Sequence, residues 1–453
     1  MPLENLDTPL SQSTTYRADI DGLRAVSILL ILATHLGVDW ARGGFIGVDV
    51  FFVISGFVIC RGALSDLERG QFSLREFYWR RFRRIWPNLA TVLAATVVVG
   101  MLMLSPRELE SLSESALAAL FFSANIYFND HSGYFAPAAH DLPLLHTWSL
   151  GVEEQFYLLL PPLFVWGLRW NARAGPAVLI ISVTVMSLIY CVVATDLAPQ
   201  HAFYLPMSRM WEIGVGGCAA LLERVWTPKR LFSEVAGILG LALIAFGLLW
   251  IDGTTVFPGI TALIPVAGSA LIVLSGPSPT FVGAALKSSP MVAVGRLSYA
   301  LYLVHWPMIV YSRVVAGREL SAIEILILLV AILASAFLLM RYVETPLRSS
   351  ANLGDRKAKV VLVGSGICIV LFAILIVTGG LPGRLNDSAR IAIANFERSE
   401  KTRRPCIADG QWHNAGIARV SSCRWGAEDQ TDFILIGDSH ASAMADELAN
   451  ELL

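Results

Sequence analysis

The chain has 453 residues, of which 55% are hydrophobic and only 15% are charged, against roughly 25% charged in an ordinary soluble domain. A single water-soluble globule is therefore excluded. The near balance of 34 basic and 36 acidic residues argues against nucleic acid as a partner. Apolar residues fall in runs of about twenty, the length that crosses a bilayer, so the composition predicts an all-α polytopic membrane protein.

The apolar runs give the candidate membrane-spanning helices in chain order. They lie at 20–38, 45–60, 88–104, 147–168, 176–194, 207–223, 233–251, 257–275, 291–312, 322–343 and 359–378. Lys and Arg concentrate in every second connection, which the positive-inside rule assigns to the cytoplasm. The sequence thus predicts a cytoplasmic N-terminus and a tail on the outer side. The segment 105–146 leaves a re-entrant or interfacial helix open.

The first apolar run carries an arginine and a histidine on one side of its predicted helix. Arg24 and His35 are eleven residues apart, which is three helical turns plus about 20°, so both share one face about 16 Å apart along the axis. Ionisable residues inside a membrane indicate function by default. The alternative is that Arg24 reaches the lipid headgroups and His35 merely marks the helix end.

Other predicted spans carry ionisable residues at a similar depth, towards the outer side. These are Asp49, Glu153, Glu154, Arg209, Glu212 and His305. Two adjacent glutamates within the apolar stretch Leu150–Leu163 are difficult to explain as interfacial residues. The pattern therefore predicts a shared polar cavity, with unrelated interfacial residues as the alternative. It implies no metal ion and no permanently bound cofactor.

A block of arginines and aromatic residues precedes the third apolar run, between Phe77 and Pro87. Its arginines are Arg80, Arg81, Arg83 and Arg84. The guanidinium fork matches phosphate geometry, and the neighbouring rings are suited to hold an adenine. The block predicts a cytoplasmic site for a phosphate-rich donor, while a topology anchor attracted to anionic lipid is the alternative.

Six stretches form recognisable motifs when they are taken together. They are Tyr16–Val26 with His35 after it, Gly44–Phe57, the arginine block, His146–Tyr157, Ser208–Gly214 and Leu297–Pro307. They resemble the membrane acyltransferase-three family, which includes O-antigen acetyltransferases, and they cover residues 16 to about 346. The resemblance implies a ten-helix bundle, acyl-CoA as a donor taken from the cytoplasm, and O-acylation of a carbohydrate on the outer side.

The resemblance also implies roles for single residues. The family's arginine-ten-residues-histidine motif falls on Arg24 and His35. His35 is then the general base on a sugar hydroxyl or a covalent acyl carrier, and Arg24 orients or neutralises the donor. The candidate acceptor or cavity residues are Asp49, Ser55, Glu153, Arg209, Glu212, Tyr302 and His305.

The predicted organisation has five parts. They are a cytoplasmic segment (1–19), the ten-helix acyltransferase domain (20–346), a cytoplasmic linker (347–358), an eleventh transmembrane helix (359–378) and a periplasmic tail (379–453). The function expected is an O-acetyltransferase of the bacterial inner membrane that moves an acyl group from acetyl-CoA or another acyl-CoA to lipopolysaccharide O-antigen. Peptidoglycan, exopolysaccharide or a lipid-linked sugar are alternative acceptors. A non-catalytic lipid or sugar transporter is the rival, and membrane lipids are partners in either case.

The tail carries a second resemblance. Phe433–His440 is similar to the strand, nucleophile and helix of SGNH hydrolases, with Ser439 at the nucleophile position. The downstream Asp-x-x-His partner is absent, so we expect a truncated, inactive α/β segment. Cys406 and Cys423 are expected to face an oxidising compartment, which predicts a disulfide closing a loop of about 18 residues. Two unpaired thiols are the alternative.

Overall fold

The computed structural model describes residues 16–131, 141–171, 174–276, 278–348, 356–391 and 393. The predictions for Ser439, for the disulfide between Cys406 and Cys423 and for the SGNH-like segment lie outside these residues. The chain divides into two compact units. The first comprises residues 1–104 and 109–377, and the second comprises residues 105–108 and 378–453. In the second unit the described chain makes a short 3₁₀ turn at Pro382–Arg384.

Helices account for the regular structure throughout the described ranges, which confirms the all-α membrane class. They are α1 (Ala18–His35), α2 (Gly47–Glu68), α3 (Leu74–Met103), α4 (Pro106–Leu120), α5 (Ala124–Asp130), α6 (Thr147–Trp170), α7 (Gly175–Leu197), α8 (Pro199–Tyr204), α9 (Pro206–Val225), α10 (Arg230–Trp250), α11 (Leu263–Ser275), α12 (Phe281–Leu286), α13 (Ser289–Ala316), α14 (Ala322–Leu339), α15 (Thr345–Arg348) and α16 (Arg356–Val377). A 3₁₀ segment (Asp39–Ile46) leads into α2, and a π-helical turn (Met340–Glu344) joins α14 to α15.

Six helical segments of the described chain are long and apolar enough to cross a membrane by length and composition. They are Asp39–Glu68, Leu74–Met103, Gly175–Leu197, Arg230–Trp250, Ala322–Leu347 and Lys359–Val377. The other predicted spans fall on α1, α6, α9 and α13, which carry the ionisable residues described below, and on α11, which has only 13 residues.

The segment 105–146 contains two short helices where it is described. They are α4 with 15 residues and α5 with seven. Each is shorter than the roughly 20 residues that a transmembrane helix needs. The structure therefore adds no further span between α3 and α6 within the described residues.

Glycines allow close contact between the helices that carry the site. A Cβ atom at Gly56 of α2 would collide with the carbonyl oxygen of Ile213 in α9, and one at Gly216 of α9 would collide with that of Val53 in α2. Gly295 places α13 equally close to α1. Small residues let helix backbones approach in membrane proteins, so these positions bring α2 against α9 and α1 against α13.

Candidate functional site

A cavity of about 780 Å³ opens at one end of the first unit, where α1 begins, α2 ends and α13 begins. Its volume lies in the range typical of small-molecule sites. It is lined by Tyr16, Arg17, Ile20, Asp21, Arg24, Phe57, Val58, Arg61, Gly62, Arg84, Gly295, Arg296, Ser298, Tyr299, Met340, Glu344 and Thr345. We refer to it as the lower cavity; its lining includes five arginines and two carboxylic acids.

Internal ion pairs hold two of these arginines at the wall. Arg17 binds Asp19 and Glu223, each at 2.7 Å, and donates to the carbonyl oxygen of Val273 at 3.0 Å. Arg61 binds the other carboxylate oxygen of Glu223 at 2.8 Å. These contacts fix the guanidinium groups in place before any ligand arrives.

The π-helical turn brings an acidic group to the same cavity. Glu344 is buried and accepts a hydrogen bond of 3.0 Å from the amide of Asn88 in α3. π-helical turns occur frequently at functional sites. Glu344 was not among the residues predicted from the sequence, because a π-helical insertion leaves no mark in the hydrophobic periodicity.

A second, upper cavity of about 90 Å³ continues from the first. The two share Arg24, Val58, Arg84, Ser298 and Tyr299. Apolar side chains of α2 and polar side chains of α6 and α13 line its far end. The shared residues make the two cavities direct neighbours inside the bundle.

One wall of the upper cavity is a charged network around Glu153. Ser55 donates to its carboxylate at 2.5 Å, and the hydroxyl of Tyr157 donates to the same oxygen. The guanidinium of Arg81 lies 3.3 Å from Glu154 and 3.9 Å from Glu153, and it stacks 3.2 Å over the Tyr157 ring. A single guanidinium, that of Arg81, therefore contacts both carboxylic acids.

Tyr302 closes the far end of the upper cavity. Its hydroxyl donates to the carbonyl oxygen of His146 at 2.7 Å and lies 2.6 Å from the Ser149 hydroxyl. Its ring lies 5.6 Å from the His305 ring, centroid to centroid, and 5.4 Å from that of His146. Tyr302 thus separates the cavity from a group of histidines.

Three histidines meet behind Tyr302. Nδ1 of His35, the last residue of α1, lies 3.0 Å from Nε2 of His305 in α13, and the two rings are parallel within 5°. The His146 ring lies 5.6 Å from that of His305. His305 and His146 are buried, and neither ring nitrogen of His146 has a hydrogen-bond partner among the described residues. We refer to His35, His146 and His305 as the histidine cluster.

The remaining predicted charges form a separate buried cluster between α2 and α9. Arg209 lies 3.2 Å from Asp49 and 2.7 Å from Glu212, and all three side chains are at most 1% exposed. Four aromatic rings surround the guanidinium at 5.4–5.9 Å. We refer to Asp49, Arg209 and Glu212 as the Arg209 cluster.

The predicted site residues therefore fall into three groups. Arg24, Ser55, Arg81, Arg84, Glu153 and Tyr302 line the two cavities; His35 and His305 belong to the histidine cluster; Asp49, Arg209 and Glu212 form the Arg209 cluster. Arg80, which pairs with Asp66 at 2.6 Å, and Arg83, near the Trp79 ring, line neither cavity. Among the described residues, no group of three or more His, Cys, Asp or Glu is arranged to hold a metal ion.

The sequence analysis did not assign a role to His146. It begins one of the motifs, His146–Tyr157, so a signal was present. Ser149 and Tyr157 of the same motif line the upper cavity. The helix α6 starts just after His146, which places Ser149 and Tyr157 at the upper cavity and His146 against Tyr302.

The fold and the site define an all-α membrane protein whose interior holds two arginine-lined cavities and, behind Tyr302, a cluster of histidines. A family profile described as acyltransferase domain matches residues 17–341. The chain therefore belongs to this family of membrane acyltransferases. No solved structure matches it.

Several curated proteins are similar in sequence. Peptidoglycan O-acetyltransferase OatA of Listeria monocytogenes is 32% identical over 75% of this chain and 57% of its own length. O-acetyltransferase OatA of Staphylococcus aureus (strain MRSA252) is 30% identical over 81% of this chain and 64% of its own length. YrhL of Bacillus subtilis is 29% identical over 89% of this chain and 68% of its own length. The chain thus spans somewhat more than half the length of the two OatA relatives.

Proposed function

We propose that this protein transfers an acetyl group from acetyl-CoA to a hydroxyl of an envelope polysaccharide. Family membership supports the reaction class. The observation that carries the proposal is the position of the histidine cluster directly behind Tyr302, which lines the cavity next to the arginine-lined lower cavity. A charged donor needs the arginines, and a hydroxyl nucleophile needs a histidine. Acetyl-CoA is a substrate in this scheme, bound and released in each cycle.

The donor phosphates bind in the lower cavity. Guanidinium groups make forked, charge-assisted hydrogen bonds to phosphate oxygens. Of the four arginines at the start of α3, Arg84 is the one that lines both cavities, so we assign this contact to it. Arg24 lies at the junction of the cavities, so it meets the donor beyond its phosphates.

The reaction forms one C–O bond and breaks one C–S bond. His35 accepts the proton of the acceptor hydroxyl, whose oxygen attacks the thioester carbonyl. The tetrahedral intermediate expels the CoA thiolate, which takes the proton from His35, so the histidine returns to its neutral state. An acetyl-histidine intermediate is the alternative, and it places the same nitrogen of His35 on the carbonyl carbon.

We propose peptidoglycan as the acceptor, in preference to O-antigen. The support is the printed name of the Listeria monocytogenes relative, which is a peptidoglycan O-acetyltransferase. The protein would lie in the bacterial plasma membrane with the lower cavity on the cytoplasmic side. The Lys and Arg residues in the connections at that end support this orientation.

The test uses membranes from cells that produce the full chain, incubated with acetyl-CoA labelled in the acetyl group. We expect alkali-labile label in purified peptidoglycan and a matching release of free CoA. Label in lipopolysaccharide or exopolysaccharide instead would overturn the acceptor and leave the reaction intact. Intact acetyl-CoA, with sugar or lipid carried across the membrane, would favour the transporter and contradict the proposal.

A further inference from the structure

The hydrogen bonds of His305, together with its contact to His35, determine which ring nitrogens carry protons. Nδ1 of His305 lies 2.8 Å from the carbonyl oxygen of Tyr302 and 3.1 Å from that of Leu301, one turn earlier in α13. Carbonyl oxygens only accept hydrogen bonds. Nδ1 of His305 must therefore carry a proton.

The other nitrogen of His305 then has a free electron pair. A neutral imidazole carries a single ring proton. The His305 ring is fully buried, and no carboxylate among the described residues contacts it, so its surroundings suit the neutral form. Its Nε2 is consequently an acceptor.

The protonation of His305 determines which nitrogen of His35 donates. Nε2 of His305 is 3.0 Å from Nδ1 of His35, so Nδ1 of His35 is the donor. In the neutral His35 ring, which a proton acceptor must be, Nε2 then carries no proton. The other neighbours of His35 leave this arrangement intact. Arg313 donates to its backbone oxygen at 3.0 Å, and Trp306 packs with ring centroids 4.5 Å apart.

We infer that His305 is a positioning residue that holds His35 in the tautomer with a bare Nε2. The inference rests on the proposed function of His35 and deepens it, since both a general base and an acyl carrier need an electron pair at that nitrogen. In the opposite tautomer Nε2 carries the proton and has no electron pair to use. His305 thus acts through His35 and has no direct contact with substrate in this scheme.

A matched pair of amide variants separates this role from simple packing. In His305→Gln the longer side chain carries its carbonyl oxygen to about the place of Nε2, where it accepts from His35. In His305→Asn the shorter amide still donates to the carbonyl oxygens of α13 but does not reach His35. His35→Ala, measured alongside, tests whether His35 is needed at all.

We expect His305→Gln to keep kcat within about tenfold of the wild type and His305→Asn to lose about a hundredfold or more, in line with general-base contributions of about 10²–10⁴. KM for acetyl-CoA should stay unchanged in both variants, because His305 lines neither cavity. Equal rates for the two variants, or a change confined to KM, would overturn the positioning role. Wild-type rates in His35→Ala would overturn the proposed function as well.

Solid-state NMR of the wild-type chain labelled with ¹⁵N-histidine provides a measurement that does not depend on a variant folding. The His35 signals are identified by their loss in His35→Gln. We expect a protonated Nδ1 and an unprotonated Nε2. A protonated Nε2 with a bare Nδ1 would overturn the inference, whatever the activity of the variants.

Discussion

The surroundings of each arginine in α3 determine what its charge can do. Arg81 and Arg84 are three residues apart and lie on one face of the helix, so the sequence placed them together as donor ligands. Glutamates from α6 hold Arg81, and Arg84 faces both cavities. The different surroundings of Arg81 and Arg84 come from residues that are distant in sequence. The spacing of residues within α3 cannot predict such contacts.

Arg84→Met should weaken donor binding. A lost charge-assisted hydrogen bond of about 1.5–3 kcal/mol corresponds to a rise in KM for acetyl-CoA of about tenfold or more. Initial rates over a range of acetyl-CoA concentrations provide the measurement. The matched control is Arg83→Met, since Arg83 lies on the same helix outside both cavities. The same KM in both variants would exclude Arg84 from the donor site.

Arg209→Met should destabilise the protein rather than alter the affinity for acetyl-CoA. Asp49 and Glu212 would lose their cation in a fully buried place, which costs about 3–5 kcal/mol. Thermal unfolding in detergent measures the loss. The control is the triple variant Asp49→Asn, Arg209→Met, Glu212→Gln, which removes all three charges and should recover much of the stability. A single variant that unfolds at the wild-type temperature would contradict this account.

At the scale of helices, tight contacts between α2 and α9 depend on residues without side chains. Gly56→Ala places a methyl group against the carbonyl oxygen of Ile213. The backbone of Ile213 cannot move aside as a flexible side chain can. We therefore expect the Gly56→Ala variant to unfold in detergent at a lower temperature than the wild type. Gly364→Ala in α16 is the control, since nothing lies within 4 Å of its Cβ position, and alanine favours a helix. An equal response of the two variants would show that the close approach does not matter.

The apolar runs predicted where the helices lie, because burial in lipid requires long apolar segments in any such chain. They did not predict that the residues expected to share one cavity would divide among two neighbouring cavities, the histidine cluster and the Arg209 cluster. Asp49 lies in the first turn of α2, six residues before Ser55. Asp49 nevertheless pairs with α9, whereas Ser55 donates to Glu153 of α6. Helix rotation and pairing determine this difference, and hydrophobic periodicity does not specify which helices pair.

At the scale of the whole molecule, the proposed orientation places the donor and acceptor on opposite sides of the membrane. Single cysteines in a cysteine-free background test it. Thr254→Cys, after α10, should react with an impermeant maleimide in intact spheroplasts. Gln71→Cys, after α2, should react only once the membrane is opened. The reverse pattern would invert the orientation and place the lower cavity outside.

The most direct measurement of the central claim is acetyl transfer by His35→Ala. Membranes with equal amounts of wild-type and variant protein receive labelled acetyl-CoA, and alkali-labile label in peptidoglycan is counted over time. His201→Ala, an exposed histidine of α8, is the matched control and should keep the wild-type rate. We predict that His35→Ala transfers at least about a hundredfold more slowly, because the proton acceptor is lost. Transfer by His35→Ala at the wild-type rate would contradict the account.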